Sequence, residues 1–312
     1  AGCDGRREAS DELQTVRISQ AFQHLLYIGL YVAEDAGFFE EEGLNVQIST
    51  AGGDAQAFSA LTSGSADFAQ GDPAFVAIAG EQGWEGRVVV MAVDRVAIWG
   101  VAEDPGIEPF TDATGFNGYS VATYPNPNTS YVVQRQLVEQ AGLTVGEDTQ
   151  IVQVQFGTEL AALANGQVDI AQTIEPNVTQ FEQQGGRVVF SYPEAWGPLA
   201  FTGLMVSSET IESDPEMVQG VVNAYERALR LIQSDFDRAV EIASARLPDL
   251  EEQTIRTALE RLVASGSIPA STRVNPESWN QSLQIRIDVG DLEAMPEEEL
   301  FDNSFAERAR QN

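Results

Sequence analysis

Twelve residues of this chain occur twice, and the repeat limits the fold more than any other feature. Residues 59–70 read SALTSGSADFAQ and residues 161–172 read AALANGQVDIAQ, with six identities. In each copy, Ala-Leu ends an amphipathic run and a glycine follows. Aspartate then comes three residues after the glycine, before an apolar residue and Ala-Gln. Such a string describes a helix stopped by glycine, a tight turn, and a buried strand entering a sheet. The offset of about 100 residues is far longer than a solenoid unit. It fits two α/β lobes built on one plan.

The rest of the chain agrees. Strand-like runs are expected at 16–19, 44–49, 66–69, 88–93 and 97–102, and again at 119–123, 151–155, 168–173 and 188–192. Helix-like runs are expected between them at 25–39, 55–63, 73–82, 131–140, 159–164 and 177–184. Gly43 closes the first helix, and Gly52-Gly53-Asp54 opens the next. Alternation of this kind predicts an α/β fold with a largely parallel sheet. After a strand at 201–206 the pattern becomes helical. Pro215 opens a helix whose apolar stripe is Val218, Val221, Tyr225, Ala228, Leu229 and Ile232. Further helices are expected at 235–247, at 250–263 and around Trp279, Leu283 and Ile287, with a terminal strap at 295–312.

Composition excludes several functions. The chain has 48 Asp and Glu against 17 basic residues, a formal charge of -31, and all the basic residues are Arg. A field this negative repels nucleic acid. A near-normal 43% of hydrophobic residues still provides a core, so the carboxylates are read as a shell suited to high salt, a halophilic trait. One Cys and one His leave no disulfide framework and no Cys/His metal site. No nucleophile-elbow, zincin or phosphate-loop motif is present. Neither a metal nor a cofactor is expected, nor a membrane-spanning helix. The one Cys, Cys3, stands in Ala1-Gly2-Cys3 ahead of a polar run. It is read as a lipidation site at the end of a trimmed lipoprotein signal.

These residues together resemble the solute-binding proteins of ATP-driven importers, in the class that takes thiamine-precursor pyrimidines, alkanesulfonates, taurine or nitrate. The carriers are YVAEDAGFFEEEGLNVQI at 31–48, SALTSGSADFAQGDP at 59–73, VQFGTELAALANGQVDIAQTIEP at 154–176, FSYPEAWGPLAFTGL at 190–204 and LFDNSFAER at 300–308. The resemblance implies a two-lobe periplasmic-binding-protein fold of type II, with the ligand held in the cleft. Two crossing strands near 96–102 and 202–206 would join the lobes. The implied division is a tether at 1–14, lobe one at 15–97, lobe two at 98–204, and completion of lobe one by 205–312. It further implies a lipid-anchored monomer outside the cytoplasmic membrane, with a permease and an ATPase as partners. An enzyme related to pyrimidine synthases is disfavoured, because those use a Cys-rich iron motif that this chain lacks. A sensory or scaffold module with the same fold stays open.

Ligands of open α/β sheets bind beyond the carboxyl ends of strands, at helix N-termini. That rule selects the loops 20–24, 52–54 and 70–73 in the first half and 124–130, 156–159 and 173–176 in the second. The candidate ligand contacts are Phe22, His24, Asp72, Tyr124, Asn126, Asn128, Thr129, Thr158, Glu159 and Glu175, with Trp99 on a crossing strand and Trp196 after the Tyr192-Pro193 turn. Asp54 opens a helix beside them. Asp67 and Asp169, although repeated, are read as holding the turn before a strand. These loops contain carboxylates and aromatic rings but no Arg. That set suits an amino-heterocycle donating hydrogen bonds to Glu175 or Asp72 better than it suits an anion. The helix starts at Thr129 and Thr158 keep the anion reading open.

Overall fold

The structure is a computed structural model describing residues 13–126 and 128–311. Cys3 and nearly all of the expected tether lie outside the described residues. Among the described residues, ten strands, β1 (Gln14–Gln20), β2 (Leu44–Thr50), β3 (Phe68–Gly71), β4 (Gly86–Arg95), β5 (Trp99–Ala102), β6 (Ser120–Thr123), β7 (Gln150–Gln153), β8 (Ile170–Thr173), β9 (Arg187–Ser191) and β10 (Pro198–Ser207), form two sheets. Their orders are β2-β1-β3-β10-β4 and β7-β6-β8-β5-β9. The second order reproduces the first, with β5 standing where β10 stands. The repeated segments therefore occupy equivalent places, at the helix-to-strand entries of β3 and β8.

Asp67 and Asp169 explain why the repeat retains an aspartate. Asp67 Oδ2 accepts the backbone N–H of Arg17 at 2.8 Å, and Asp169 Oδ2 accepts that of Ser120 at 2.8 Å. Each carboxylate thus ties the turn before one strand to the neighbouring strand, β1 or β6.

In each sheet four strands run in one direction, as expected, and one is reversed. β1 pairs in parallel with β2 and β3, and β6 with β7 and β8, as helical crossovers require. β10 runs antiparallel between β3 and β4, and β5 antiparallel between β8 and β9. Each reversed strand arrives from the other lobe, so it enters its sheet from the opposite end. The first connection, 96–98, matches the expected place. The second lies earlier than residues 202–206, because those already pair with β3 and β4. It runs through the short helix Tyr192–Trp196 into the start of β10.

The long helix Pro215–Ser234 buries its whole predicted stripe. It packs against the helix Ile28–Asp35 at Gly29, where an added Cβ would stand 2.5 Å from the Tyr225 ring. The expected helix at 25–39 is broken into a 3-10 turn Leu25–Tyr27 and helices Ile28–Asp35 and Phe38–Glu41. Gly37, at φ 78, makes the second break. The last helices touch both lobes. Arg261, on the helix Glu252–Ala264, pairs with Glu175 and Glu182 of the second lobe. On the helix Pro276–Asp288, Asp288 accepts a hydrogen bond from Gln136 at 2.5 Å.

Candidate functional site

Between the two sheets lies a cavity of about 300 Å³, the size of a small-molecule site. Its first-lobe wall is Phe22, His24, Leu26, Tyr27, Asp54 and Asp72, and its second-lobe wall is Tyr124, Pro125, Asn128, Thr129, Gln155, Phe156 and Ile174. Ile98, Phe201 and Thr202 close it at the lobe connections, and Arg286 enters from the C-terminal helix. Most of these residues follow the carboxyl ends of strands, as the general rule for such sheets demands.

The first-lobe loops are held by hydrogen bonds to themselves. His24 Nδ1 accepts the Leu26 N–H at 3.2 Å and caps the 3-10 turn. Its Nε2 therefore carries the proton in the neutral ring. Burial lowers the His24 pKa to about 4, so the ring is neutral at physiological pH. The His24 N–H is donated to the Tyr31 hydroxyl, which donates to Gln20 at 2.8 Å. Asp54 Oδ1 accepts the Asp72 N–H at 2.9 Å. Gly71 permits this approach, since a Cβ there would stand 2.6 Å from the Asp54 carboxylate. Burial, reinforced by the Asp72 charge, pushes the Asp54 pKa up to about 6. Asp72 Oδ1 accepts the Ala74 N–H at 2.9 Å, and its Oδ2 pairs with Arg286.

In the second lobe, Asn128 Oδ1 accepts the Ser130 N–H at 2.9 Å and caps the helix Thr129–Gln140. The Tyr124 hydroxyl donates to Glu159 Oε1 at 3.2 Å, and Thr173 donates to the same oxygen at 2.9 Å. Glu159 is buried behind Tyr124, away from the cavity lining. Burial and the Glu159 charge raise the Tyr124 pKa and keep it a neutral phenol. Across the mouth, Phe22 stacks on Phe156 with centroids 5.6 Å apart and planes at 14°. Phe156 also meets Tyr124 at 5.0 Å and is 52% exposed.

Of the expected contacts, Phe22, His24, Asp72, Tyr124, Asn128 and Thr129 share the cavity. Six do not line it. Glu175 is fully buried, accepts from Thr179 Oγ1 at 2.9 Å and pairs with Arg261 at 2.5 Å. A carboxylate beside a buried strand did need a partner, and the partner is an arginine from a distant helix. Trp99 is buried in β5, with the Arg261 guanidinium 6.0 Å from its ring. Asn126 faces the surface groove beside Tyr131 and Arg135. Thr158 is exposed and donates to the Gln155 carbonyl at 2.7 Å. Trp196 packs on the second-lobe core rather than the cavity. Glu159 is the sixth. Arg286 was missed, because only the fold brings position 286 to Asp72. The cavity is therefore not free of cations, although its strand-end loops are.

The family described as NMT1/THI5 like matches residues 25–239. The chain belongs to that family. It is 23% identical over 308 residues to the putative binding protein YtlA of Bacillus subtilis (strain 168), covering 96% of this chain and 90% of that one. The crystal structure of the periplasmic aliphatic sulphonate binding protein SsuA from Escherichia coli superposes with a TM-score of 0.71 at 20% identity, covering 90% of this chain and 89% of that one. The desulfurization enzyme DSZB superposes with a TM-score of 0.69 at 13% identity, covering 96% and 99%. This member of the NMT1/THI5-like family thus shares the type II two-lobe fold with both a binding protein and an enzyme. Among the described residues, no cluster of His, Cys, Asp or Glu could hold a metal ion. No described helix is long and apolar enough to cross a membrane.

Proposed function

We propose that the chain is the extracytoplasmic solute-binding component of an ATP-driven importer, capturing a small organic solute between its lobes. The cavity carries the reading: it lies between the lobes, with strand-end loops from both and aromatic rings at its mouth. Binding would draw the lobes together, the usual role of a hinge in such folds. The solute is a nitrogen heterocycle of the aminopyrimidine kind, as in thiamine precursors. Asp54 accepts N–H donors, and Tyr27 and Tyr124 supply flat faces. Glu175 no longer serves this role. Partners are a permease and an ATPase, with membrane attachment through a lipid on Cys3.

A sulfonate or nitrate is the competing ligand within the same reading, favoured by the helix start at Thr129. Two observations weigh against it. Asn128 already occupies one N–H of that helix start, and Arg286 is already paired with Asp72 and Asp291. Mass spectrometry of small molecules released from the purified protein tests the proposal. An aminopyrimidine or related heterocycle is expected, and a stoichiometric sulfonate would overturn the ligand class. Metabolic labelling with a fatty acid, lost in Cys3→Ser, tests the anchor.

A further inference from the structure

Among the described residues, the charged side chains that line the cavity are Asp54, Asp72 and Arg286. The Asp72 charge is compensated, since one oxygen takes the Ala74 N–H and the other pairs with Arg286. Asp54 accepts the Asp72 N–H, and no arginine is ion-paired with it among the described residues. With His24 neutral, the lining carries one net negative charge, located at Asp54. We infer that the cleft selects organic monocations: a flat ring with one positive charge, its N–H edge on Asp54 and its face on the aromatic wall. Arg286 sets the limit at one charge by neutralising Asp72.

This inference rests on the solute-binding reading of the cleft and adds the charge state of the solute. A cation in a site of reduced dielectric gains from Asp54 far more than in water, and the ring faces add cation–π attraction. A neutral heterocycle forms the same N–H bond without the charge. An anion meets the uncompensated carboxylate. Arg286 also lies 3.5 Å from Thr129 Oγ1 of the second lobe, so charge compensation at Asp72 and lobe contact share one side chain.

Two rings of nearly equal shape separate charge from shape. At neutral pH, 4-aminopyridine is protonated and 4-aminopyrimidine is not. Calorimetric titration of the wild-type chain should show the pyridinium bound about tenfold to a hundredfold more tightly, the range of a charge-assisted bond. Asp54→Asn should collapse that ratio. Asp72→Asn removes one of the two carboxylates paired with Arg286, so the lining becomes less negative and the ratio should narrow as well. Circular dichroism would verify that both variants are folded. Equal affinities in the wild type, or a ratio unchanged in both variants, overturns the charge rule and leaves the neutral-heterocycle reading standing. Binding of neither ring, with taurine binding instead, overturns both.

Discussion

Asp54 and His24 give the site its pH dependence, and their signs oppose. His24 has its pKa lowered to about 4 by burial. Between about 4 and the ordinary histidine value of about 6.5, the unfolded chain binds more protons there than the folded one. The stability this contributes is present above that window and is lost as pH falls through it. Asp54 and Asp94, both buried and raised to about 6, act the other way. The folded chain holds their protons longer, so their contribution declines as pH rises from about 4 to about 6. Because the chain has one histidine, its imidazole is a single resonance. An NMR titration should place its midpoint near pH 4, and a midpoint near 6.5 would contradict its burial. Affinity for a cationic ring should rise as pH increases through 6, as Asp54 ionises beside Asp72 and Arg286. Glu175 belongs to stability rather than binding. Glu175→Gln removes the charge of a fully buried carboxylate from its pair with the partly exposed Arg261. It should cost roughly 1–3 kcal/mol, seen as a lowered denaturation midpoint with ligand affinity unchanged.

The elements that position the cavity were largely readable, and the exceptions share a cause. Local periodicity and glycine stops located nine of the ten strands of both lobes to within a few residues, because those signals are carried by neighbouring residues. The sequence reading missed the early start of β10 and the short helix Tyr192–Trp196, which depend on how one lobe connects to the other. It selected Phe22, Tyr124 and Thr129, since strand-end loops are local features. It missed Arg286 and misplaced Glu175, since their partners are 214 and 86 residues away. The Phe22–Phe156 stack is another such long-range contact, bridging the lobes across the mouth. An aromatic pair contributes about 0.5–1.5 kcal/mol, so Phe156→Ala should speed ligand release about two- to tenfold. Stopped-flow fluorescence would measure it, and an unchanged release rate would remove Phe156 from the gate.

At the scale of the molecule, the formal charge of -31 sets the solution behaviour. Ion pairs such as Arg17–Asp67 and Arg135–Glu139 are exposed and contribute about 0–1 kcal/mol each. Screening weakens those contacts, but it also relieves repulsion among many more unpaired carboxylates. Repulsion should dominate, so the melting temperature should rise from low to molar salt. A flat or falling curve would contradict the halophilic reading. Whether two lobes hold a nitrogen heterocycle between them is tested most directly by titration calorimetry with a panel of aminopyrimidines, taurine and nitrate. One-to-one binding of an aminopyrimidine or its cationic analogue is expected, with no heat from taurine or nitrate. Saturable one-to-one binding of taurine or nitrate, with none of the heterocycles, would contradict that expectation.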